Sequence, residues 1–292
     1  MEERTNIFDG EFSPTGIEMA SCFRKMYYAK ILGLESNAPP MPLYFGSAIH
    51  KGVETFYVEK SRCDFIKAKM LAVEAFTTEW NSFGVQGDDK RNLAGGLIIM
   101  DRYCDYYKDD HAEISPEFVE AKQWVEMPNG THMLFKVDRV RIEDGRKIVV
   151  DTKTSSWALT DFYFQSYRNN LQTSLYYYGV DKILDGCDAI QIDGIKVPPP
   201  TETSSTSPFA RRTFIRTDLQ IQDALNTWCR MTDYMMAGIE KYKDDMDGLA
   251  AYMYADQTKC GDYGGCKYLP ICMHGFDHPS VQVDFTRKEV KR

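Results

Sequence analysis

Two apolar runs joined by a short polar turn decide the fold, and together they read VDRVRIEDGRKIVVDTK at residues 137–153. Valine and isoleucine fill both runs, and Glu143-Asp144-Gly145 between them is typical of a turn in an antiparallel hairpin. Asp138 and Asp151 therefore fall on adjacent strands. Because side chains alternate along a strand, Asp151 and Lys153 point to the same face.

The charges of this hairpin favour a metal site. An aspartate that closes an apolar run needs a counter-charge, and two carboxylates in one site repel each other unless a divalent cation satisfies both. Lys153 would stand beside that cation, where it would orient or help deprotonate an attacking water and offset charge on a pentavalent phosphate. Taken alone, an aspartate and a lysine at this spacing favour a solvated salt bridge on the outer face of a strand, and it is the accompanying motifs that favour the metal site.

The periodicity of apolar residues extends this hairpin into a larger fold. Helical spacing predicts helices at residues 13–34, 46–57, 64–83, 93–109, 162–184 and 219–246. Alternating or continuous β-branched runs predict three consecutive antiparallel strands at 118–127, 132–142 and 147–153, and a further pair at 189–197 and 211–216. This order predicts an α/β or α+β protein with helices packed around one central sheet.

The chain is predicted to form a single domain over residues 1–292. It would contain a helical N-terminal part at 13–110, a catalytic core at 111–216, and a C-terminal helix with a cysteine cluster at 217–275. A formal charge of −8 argues against unspecific coating of nucleic acid, which is driven by lysine and arginine. No apolar run is long enough for a membrane span and no secretory signal is visible, so we expect a cytoplasmic protein without a membrane partner.

Three short motifs accompany the hairpin. Gly46-Ser-Ala-Ile-His50 lies in a predicted helix before it, and Gln172-Thr-Ser-Leu-Tyr176 lies in the predicted helix after it. The i, i+4 spacing of Gln172 and Tyr176 places both side chains on one helical face. Glu120 lies on the first strand of the three.

This combination resembles the PD-(D/E)XK nucleases, which include restriction enzymes, lambda exonuclease and the RecB-like domains. G-x-x-x-H and Q-x-x-x-Y narrow the resemblance to the RecB-like branch, and Glu120 matches an acidic position often found before the metal aspartate. Val137 stands where the eponymous proline would be, and Asp151 stands where glutamate is commonest. The resemblance implies a restriction-endonuclease-like α/β fold, in which a central mixed sheet is flanked by helices.

The resemblance also implies roles for these residues. One or two Mg2+ or Mn2+ ions would be held by His50, Asp138, Asp151 and the carbonyl of Thr152, and Lys153 would assist the water. Gln172 and Tyr176 would position the scissile phosphate or the attacking water. The implied activity is exonuclease action on DNA ends in recombination or repair, and a chain of this size suits a phage-encoded enzyme acting in the host cytoplasm.

A second constellation lies near the C-terminus. Cys260, Cys266 and Cys272 are spaced C-x5-C-x5-C in a glycine-rich coil, which leaves one ligand missing for a four-cysteine site. In the related nucleases a fourth cysteine comes from far upstream, at the place of Cys22. The resemblance implies a 4Fe-4S cluster that clips the N- and C-terminal segments together; a structural Zn2+ on the same thiolates is the alternative. The remaining four cysteines are interpreted as structural.

Contacts with a nucleic-acid strand are assigned to basic and aromatic side chains. Arg168, one helical turn before Gln172, and Arg139 are the main DNA-binding candidates, with Trp157 and Tyr163 available to stack on bases. Further basic candidates are Arg24, Lys25, Arg211 and Arg212. Two alternatives stay open: a non-cleaving DNA-binding or helicase-partner module with a structural metal cluster, and a metal-dependent RNase or nucleotide-processing enzyme.

Overall fold

The structure is a computed structural model that describes residues 11–38, 40–118, 121–199, 207–261, 265–275 and 277–287. Its helices are α1 (Pro14–Met19), α2 (Phe23–Met26), α3 (Met41–Lys60), α4 (Phe65–Ser82), α5 (Leu93–Tyr106), α6 (Asp161–Gln165), α7 (Leu171–Leu184), α8 (Asp218–Lys241), α9 (Met246–Tyr252), α10 (Leu269–His274) and α11 (Pro279–Asp284). Its strands are β1 (Glu11–Phe12), β2 (Leu34–Ser36), β3 (Glu113–Ile114), β4 (Gln123–Glu126), β5 (His132–Phe135), β6 (Arg139–Glu143), β7 (Arg146–Ser155), β8 (Ala189–Lys196), β9 (Phe209–Phe214) and β10 (Phe285–Arg287). Within the described ranges, no helix has the length and apolar character that crossing a bilayer requires.

The chain divides into two compact units. The unit that we call the sheet unit consists of Pro40–Gln123 and Phe135–Ile221, and the terminal unit consists of Met1–Pro39, Trp124–Leu134 and Gln222–Arg292.

The sheet unit is built on a five-stranded sheet in the order β3-β6-β7-β8-β9. The β7–β8 pair is parallel, whereas β3–β6, β6–β7 and β8–β9 are antiparallel. The parallel pair needs a crossover connection, and α6 and α7 supply it. The predicted α/β fold with a mixed central sheet flanked by helices is confirmed.

Three long helices form the core of the sheet unit. Fully buried aromatic side chains from α3, α4 and α5, among them Phe45, Phe76 and Tyr103, pack with Ile195 of β8 and Phe209 of β9. Their starts are set locally, since the N-cap residues Asp64 and Asn92 each accept a hydrogen bond from a backbone amide three residues later. Helices α4 and α5 agree closely with the segments predicted from helical spacing, whereas α3 begins at Met41, five residues before its predicted start.

The terminal unit has its own small sheets and aromatic core. Strands β1, β5 and β4 form one sheet, and β10 pairs with β2 in a second. The ring of Trp228 on α8 lies 6.0 Å from that of Phe12, and its indole N–H donates to the Thr131 hydroxyl. Tyr268 donates to the carbonyl of Leu34 over 2.9 Å. The N- and C-terminal segments are thus joined by side-chain contacts.

Two predicted helices are interrupted in the structure. The one predicted at 13–34 breaks at Cys22, whose backbone is extended with φ −126° and ψ 102°, and it continues as α2 and a π-helical turn at Tyr27–Ile31. The helix predicted at 162–184 breaks between α6 and α7. There the carbonyls of Tyr167 and Arg168 accept hydrogen bonds from Arg216 instead of from helical amides, and Asn170 caps the new helix.

The segment predicted as a single strand at 132–142 forms two strands in the structure. β5 ends at Phe135 and pairs in the three-stranded sheet, whereas β6 begins at Arg139 and pairs with β7. Asp138 lies at the bend between them. The apolar alternation through Met133, Phe135 and Val137 shifts phase at this bend and resumes at Val140 and Ile142. The prediction of a single strand overlooked that shift.

Candidate active site

The central strand β7 places Asp151 and Lys153 on one face of the sheet unit. Asp151 is 5% exposed, and the Lys153 Nζ lies 2.9 Å from its Oδ2. Lys153 also donates to the side-chain oxygen of Gln172, 3.1 Å away on α7. Thr152, between them, is fully buried toward the opposite face, where its hydroxyl accepts from Arg139. Alternation along β7 therefore separates the charged face from the interior, as the sequence predicts.

Asp138 is held beside this strand by two contacts. Its Oδ2 accepts from the backbone amide of Thr152 at 2.6 Å, and its Oδ1 lies 2.9 Å from Nδ1 of His50 on α3. Three separate elements thus bring together His50, Asp138 and Asp151 with Lys153.

The protonation of these groups follows from burial and mutual charge. Burial lowers the pKa of His50, but Asp138 outweighs burial and raises it above its usual value. Burial disfavours the Asp138 anion, yet His50 and the Thr152 amide bring its pKa below the usual range. Burial raises the pKa of Asp151, and Asp138 adds to this rise. Burial lowers the pKa of Lys153, but Asp151 and Asp138 more than reverse this, so Lys153 is an ammonium here.

The Q-x-x-x-Y pair lies on the face of α7 that meets β7. Gln172 and Tyr176 are 8% and 9% exposed. Gln172 contacts Lys153 directly, and the ring of Tyr176 lies 6.4 Å from that of Phe135. The structure thus brings Gln172 to the acid–lysine pair, with Tyr176 one turn further along the helix.

The remaining predicted site residues are placed differently. Arg168 is exposed, but it lies in the turn before α7, so it does not share a helical face with Gln172 as we expected. Arg139 is 3% exposed, and its guanidinium is directed into the interior, where it donates to Asp193 at 2.5 Å; it is not a surface residue facing a strand. Glu120 lies outside the described residues.

Arg139 belongs to a buried charge network that sequence reasoning missed. Asp193 on β8 is fully buried, and its Oδ2 accepts from Arg139 and Tyr103 at 2.5 Å each and from Arg211 at 3.1 Å. Arg211 also pairs with Asp110. A signal for Asp193 exists in the sequence, because it interrupts the apolar strand 189–197 just as Asp151 closes its own.

A cavity of about 450 Å³ opens beside His50 and Asp138. Glu54, one turn after His50 on α3, lines the same cavity together with Lys136. Its Oε1 is buried without a hydrogen-bond partner among the described residues, and the Lys136 Nζ is 3.8 Å away. Sequence reasoning missed Glu54, although i, i+4 spacing from His50 places it on the same helical face.

The donor chemistry of the site fits a hard divalent cation. Mg2+ and Mn2+ favour carboxylate, carbonyl and water oxygens, and imidazole is a ligand for softer members of that series. Oδ2 of Asp151 is buried and accepts no hydrogen bond of good geometry from the described residues, so its remaining lone pairs suit a cation. No three His, Cys, Asp or Glu side chains in the described ranges are already gathered as metal ligands.

Four cysteines line one pocket of the terminal unit, although among the described residues their thiols are not already gathered as metal ligands. Cys22, Cys260, Cys266 and Cys272 line one small pocket, which Lys25 and Tyr268 also border. The amide of Asp256 donates to the sulfur of Cys22, and the Cys266 amide donates to the carbonyl of Cys260. All four thiols are free of disulfides. The structure therefore places the upstream cysteine in one pocket with the three C-terminal ones, and the cluster that the family resemblance implies stays a prediction.

The mixed sheet flanked by helices and the hairpin that carries Asp138, Asp151 and Lys153 are typical of a class of nuclease folds. Comparison with known families identifies the superfamily. Residues 11–273 match the PD-(D/E)XK nuclease superfamily. The chain belongs to this superfamily, so the resemblance drawn from the sequence is confirmed at that level.

Comparison with solved structures and curated proteins gives distant likenesses only. A protein from Eubacterium rectale, described provisionally as an exonuclease, shares 15% identity at a TM-score of 0.49, over 90% of this chain and 90% of that one. The structure of SSO0001 shares 12% identity at a TM-score of 0.30, over 73% of this chain and 83% of that one. No curated protein matches the chain significantly.

Proposed function

We propose that this protein is a metal-dependent DNA nuclease of the RecB-like branch that hydrolyses phosphodiester bonds with Mg2+ or Mn2+. The observation that carries the proposal is the convergence of His50, Asp138, Asp151 and Lys153 from three separate elements, with Gln172 in contact with the lysine. The single family match over residues 11–273 covers parts of both compact units, which supports one nuclease domain.

The residues of the site divide the chemistry between them. His50, Asp138, Asp151 and the Thr152 carbonyl would hold one or two divalent ions. When bound, such an ion supplies Lewis acidity toward the scissile phosphate and favours ionisation of water. His50 fixes the orientation of Asp138 from one side, and the Thr152 amide fixes it from the other.

Lys153 acts as a positioned cation. Its ammonium, held by Asp151 and Gln172, offsets negative charge that develops on the phosphate and orients the attacking water. Gln172 in turn keeps Lys153 directed at the reacting group, and Tyr176 adds a hydroxyl on the same helix. Arg168, exposed in the turn before α7, is suited to contact a backbone phosphate.

The four-cysteine pocket is proposed to hold a 4Fe-4S cluster, with a structural Zn2+ as the alternative. Thiolate ligands from residue 22 and from residues 260–272 would tie the two ends of the terminal unit together. We further propose exonuclease action on DNA ends in recombination, repair or phage DNA metabolism, and a cytoplasmic location. A helicase or recombination protein is the proposed partner.

The test is digestion of end-labelled single-stranded DNA, duplex DNA and matched RNA with Mg2+, Mn2+ or EDTA. Wild type should cut DNA only when a metal is present, and Asp151→Ala and Lys153→Ala should each lose on the order of 10²-fold or more in rate. Asp101→Ala, whose side chain is 59% exposed on α5, is the matched control and should cut normally. Faster cutting of RNA would replace the DNA assignment, and no cutting by anaerobically purified protein would favour the non-cleaving DNA-binding alternative.

A further inference from the structure

The segment that follows the catalytic strand exposes two aromatic rings. Residues 156–165, which we call the aromatic segment, run from the end of β7 through α6. Trp157 is 76% exposed and Phe162 is 81% exposed. Large apolar side chains normally bury most of their surface. Two exposed aromatic rings in one short segment therefore indicate a candidate binding surface.

The backbone that carries the two exposed rings is anchored to the sheet. Leu159 and Phe164 pack onto β8 at Gly194, so closely that a Cβ on this glycine would lie 3.0 Å from Leu159 and 3.1 Å from Phe164. Lys196 donates to the carbonyl of Ser156. The apolar side chains at 159 and 164 thus face inward, and those at 157 and 162 face solvent.

Two polar contacts complete the anchor. Arg212 pairs with Asp161 at 3.0 Å, and its guanidinium lies 5.4 Å above the ring of Phe164. The amide of Trp157 donates to the hydroxyl of Ser155 at 3.0 Å, which turns the chain directly after β7. A fixed backbone lowers the entropy cost of binding at exposed rings.

The rings are close to the proposed reacting centre. Trp157 follows Lys153 by four residues, which at about 3.3 Å per residue limits their separation to roughly 13 Å. Leu159 and Phe164 contact Gly194, the residue of β8 that pairs with Lys153 of β7, so the aromatic segment borders the site. The two rings therefore lie on a segment that borders the candidate active site.

We infer that Trp157 and Phe162 form a stacking platform for unpaired nucleobases, and that it gives the site a preference for single-stranded DNA. Aromatic rings stack on any base, whereas the bases of a duplex already stack on each other and present no free faces. The exposed Arg168, three residues after α6, would contact the backbone of such a strand. This inference rests on the proposed nuclease function and names the form of its substrate.

The test measures binding of three fluorescent probes of about 16 nucleotides: a single strand, a duplex, and a single strand with abasic sites in place of its bases. Binding of each probe is measured with protein that carries Lys153→Ala, because this substitution prevents digestion of the probe. Trp157→Ala and Phe162→Ala should each raise the Kd for the normal single strand about tenfold, while Trp157→Phe should retain most of the affinity. Trp124→Ala, which removes a 65% exposed tryptophan of the terminal unit, is the matched control.

The abasic probe identifies the contact. If the rings stack on bases, the abasic strand binds weakly to protein that keeps both rings, and its affinity does not fall further when a ring is removed. Equal losses on the normal and abasic strands, or no loss at all, would overturn the inference and point to a protein partner for the rings. Metal-dependent cutting by wild type is scored separately, so a failed platform with intact cutting is distinguishable from a failed nuclease assignment.

Discussion

Two aspartates, Asp151 and Asp193, sit inside apolar strands and have opposite consequences. Asp151 has a lysine on one side and buried lone pairs left over, so it is available to a cation. Asp193 contacts two arginines and a tyrosine in the interior, where it balances charge. At the level of single residues, the partners of a buried carboxylate separate a catalytic role from a structural one.

Removing the charge of Asp193 should destabilise the protein strongly. Asp193→Asn would leave Arg139 and Arg211 buried with too little negative charge, and breaking such a buried pair costs about 3–5 kcal/mol in the free energy of unfolding. Chemical denaturation measures this loss. Asp161→Asn breaks an exposed pair with Arg212 and should cost less than about 1 kcal/mol. Similar losses for both variants would contradict the structural role of Asp193.

The network also predicts a pH dependence at Asp110. Burial raises the pKa of this carboxyl, but Arg211 and Arg141 outweigh it and lower the pKa to about 2. Since the folded pKa lies below the unfolded value of about 3.9, the stabilisation is complete above about pH 4 and is lost as pH falls toward 2. Asp110→Asn should therefore cost on the order of 2 kcal/mol at neutral pH, and the difference from wild type should shrink in acid.

Denaturation of both proteins at a series of pH values measures that difference. Asp109→Asn, at the exposed neighbouring position, controls for the general effect of removing a carboxylate. A difference between wild type and Asp110→Asn that stays constant down to pH 3 would argue against the charge network as its source.

At the level of elements, close approach of helices depends on one glycine. Gly96 on α5 faces α4, and a Cβ there would lie 1.9 Å from the ring of the fully buried Phe76. Gly95 beside it has only ordinary contacts, the nearest being Asn92 at 3.4 Å. The two adjacent glycines therefore have different roles: one allows packing, and the other merely weakens the helix.

We expect Gly96→Ala to lower the free energy of unfolding by about 1–3 kcal/mol because it overpacks the α4–α5 contact. Gly95→Ala should be neutral or should stabilise by up to about 1 kcal/mol, since alanine favours helix. Thermal denaturation of the two variants distinguishes them directly. Equal effects would mean that α4 and α5 are not packed as closely as described.

At the level of the whole molecule, the four-cysteine pocket joins sequence segments that are far apart. Cys266→Ser should release bound iron and lower the melting temperature by about 5 °C or more, because the proposed cluster ties the two segments of the terminal unit together. Metal analysis of anaerobically purified protein and thermal denaturation measure both effects. Cys63→Ser, a partly buried cysteine outside the pocket, should keep its iron. If zinc is bound in place of iron, the zinc alternative is correct. If the protein binds neither metal, the cluster proposal is refuted.

The elements closest to the site were largely predictable, because their signals are local. Alternation of apolar residues located the β6–β7 hairpin and its turn, and helical spacing located α3, α4 and α5. The interruptions at Cys22 and at residues 166–170 were not predictable in this way. At both places the chain contacts remote partners, since the Asp256 amide donates to the sulfur of Cys22 and Arg216 donates to the carbonyls of Tyr167 and Arg168.

The sequence by itself determined a sheet flanked by helices and the placement of Asp151 and Lys153 on one strand face, since these follow from residue type and short-range periodicity. The superfamily and its mixed sheet followed from the resemblance of the motifs. Only the tertiary structure decided that His50 meets Asp138, that Gln172 meets Lys153, and that Arg139 turns inward to Asp193. These contacts join residues far apart along the chain. Their geometry depends on how helices and strands pack, and burial then decides whether a charged side chain faces substrate or the interior.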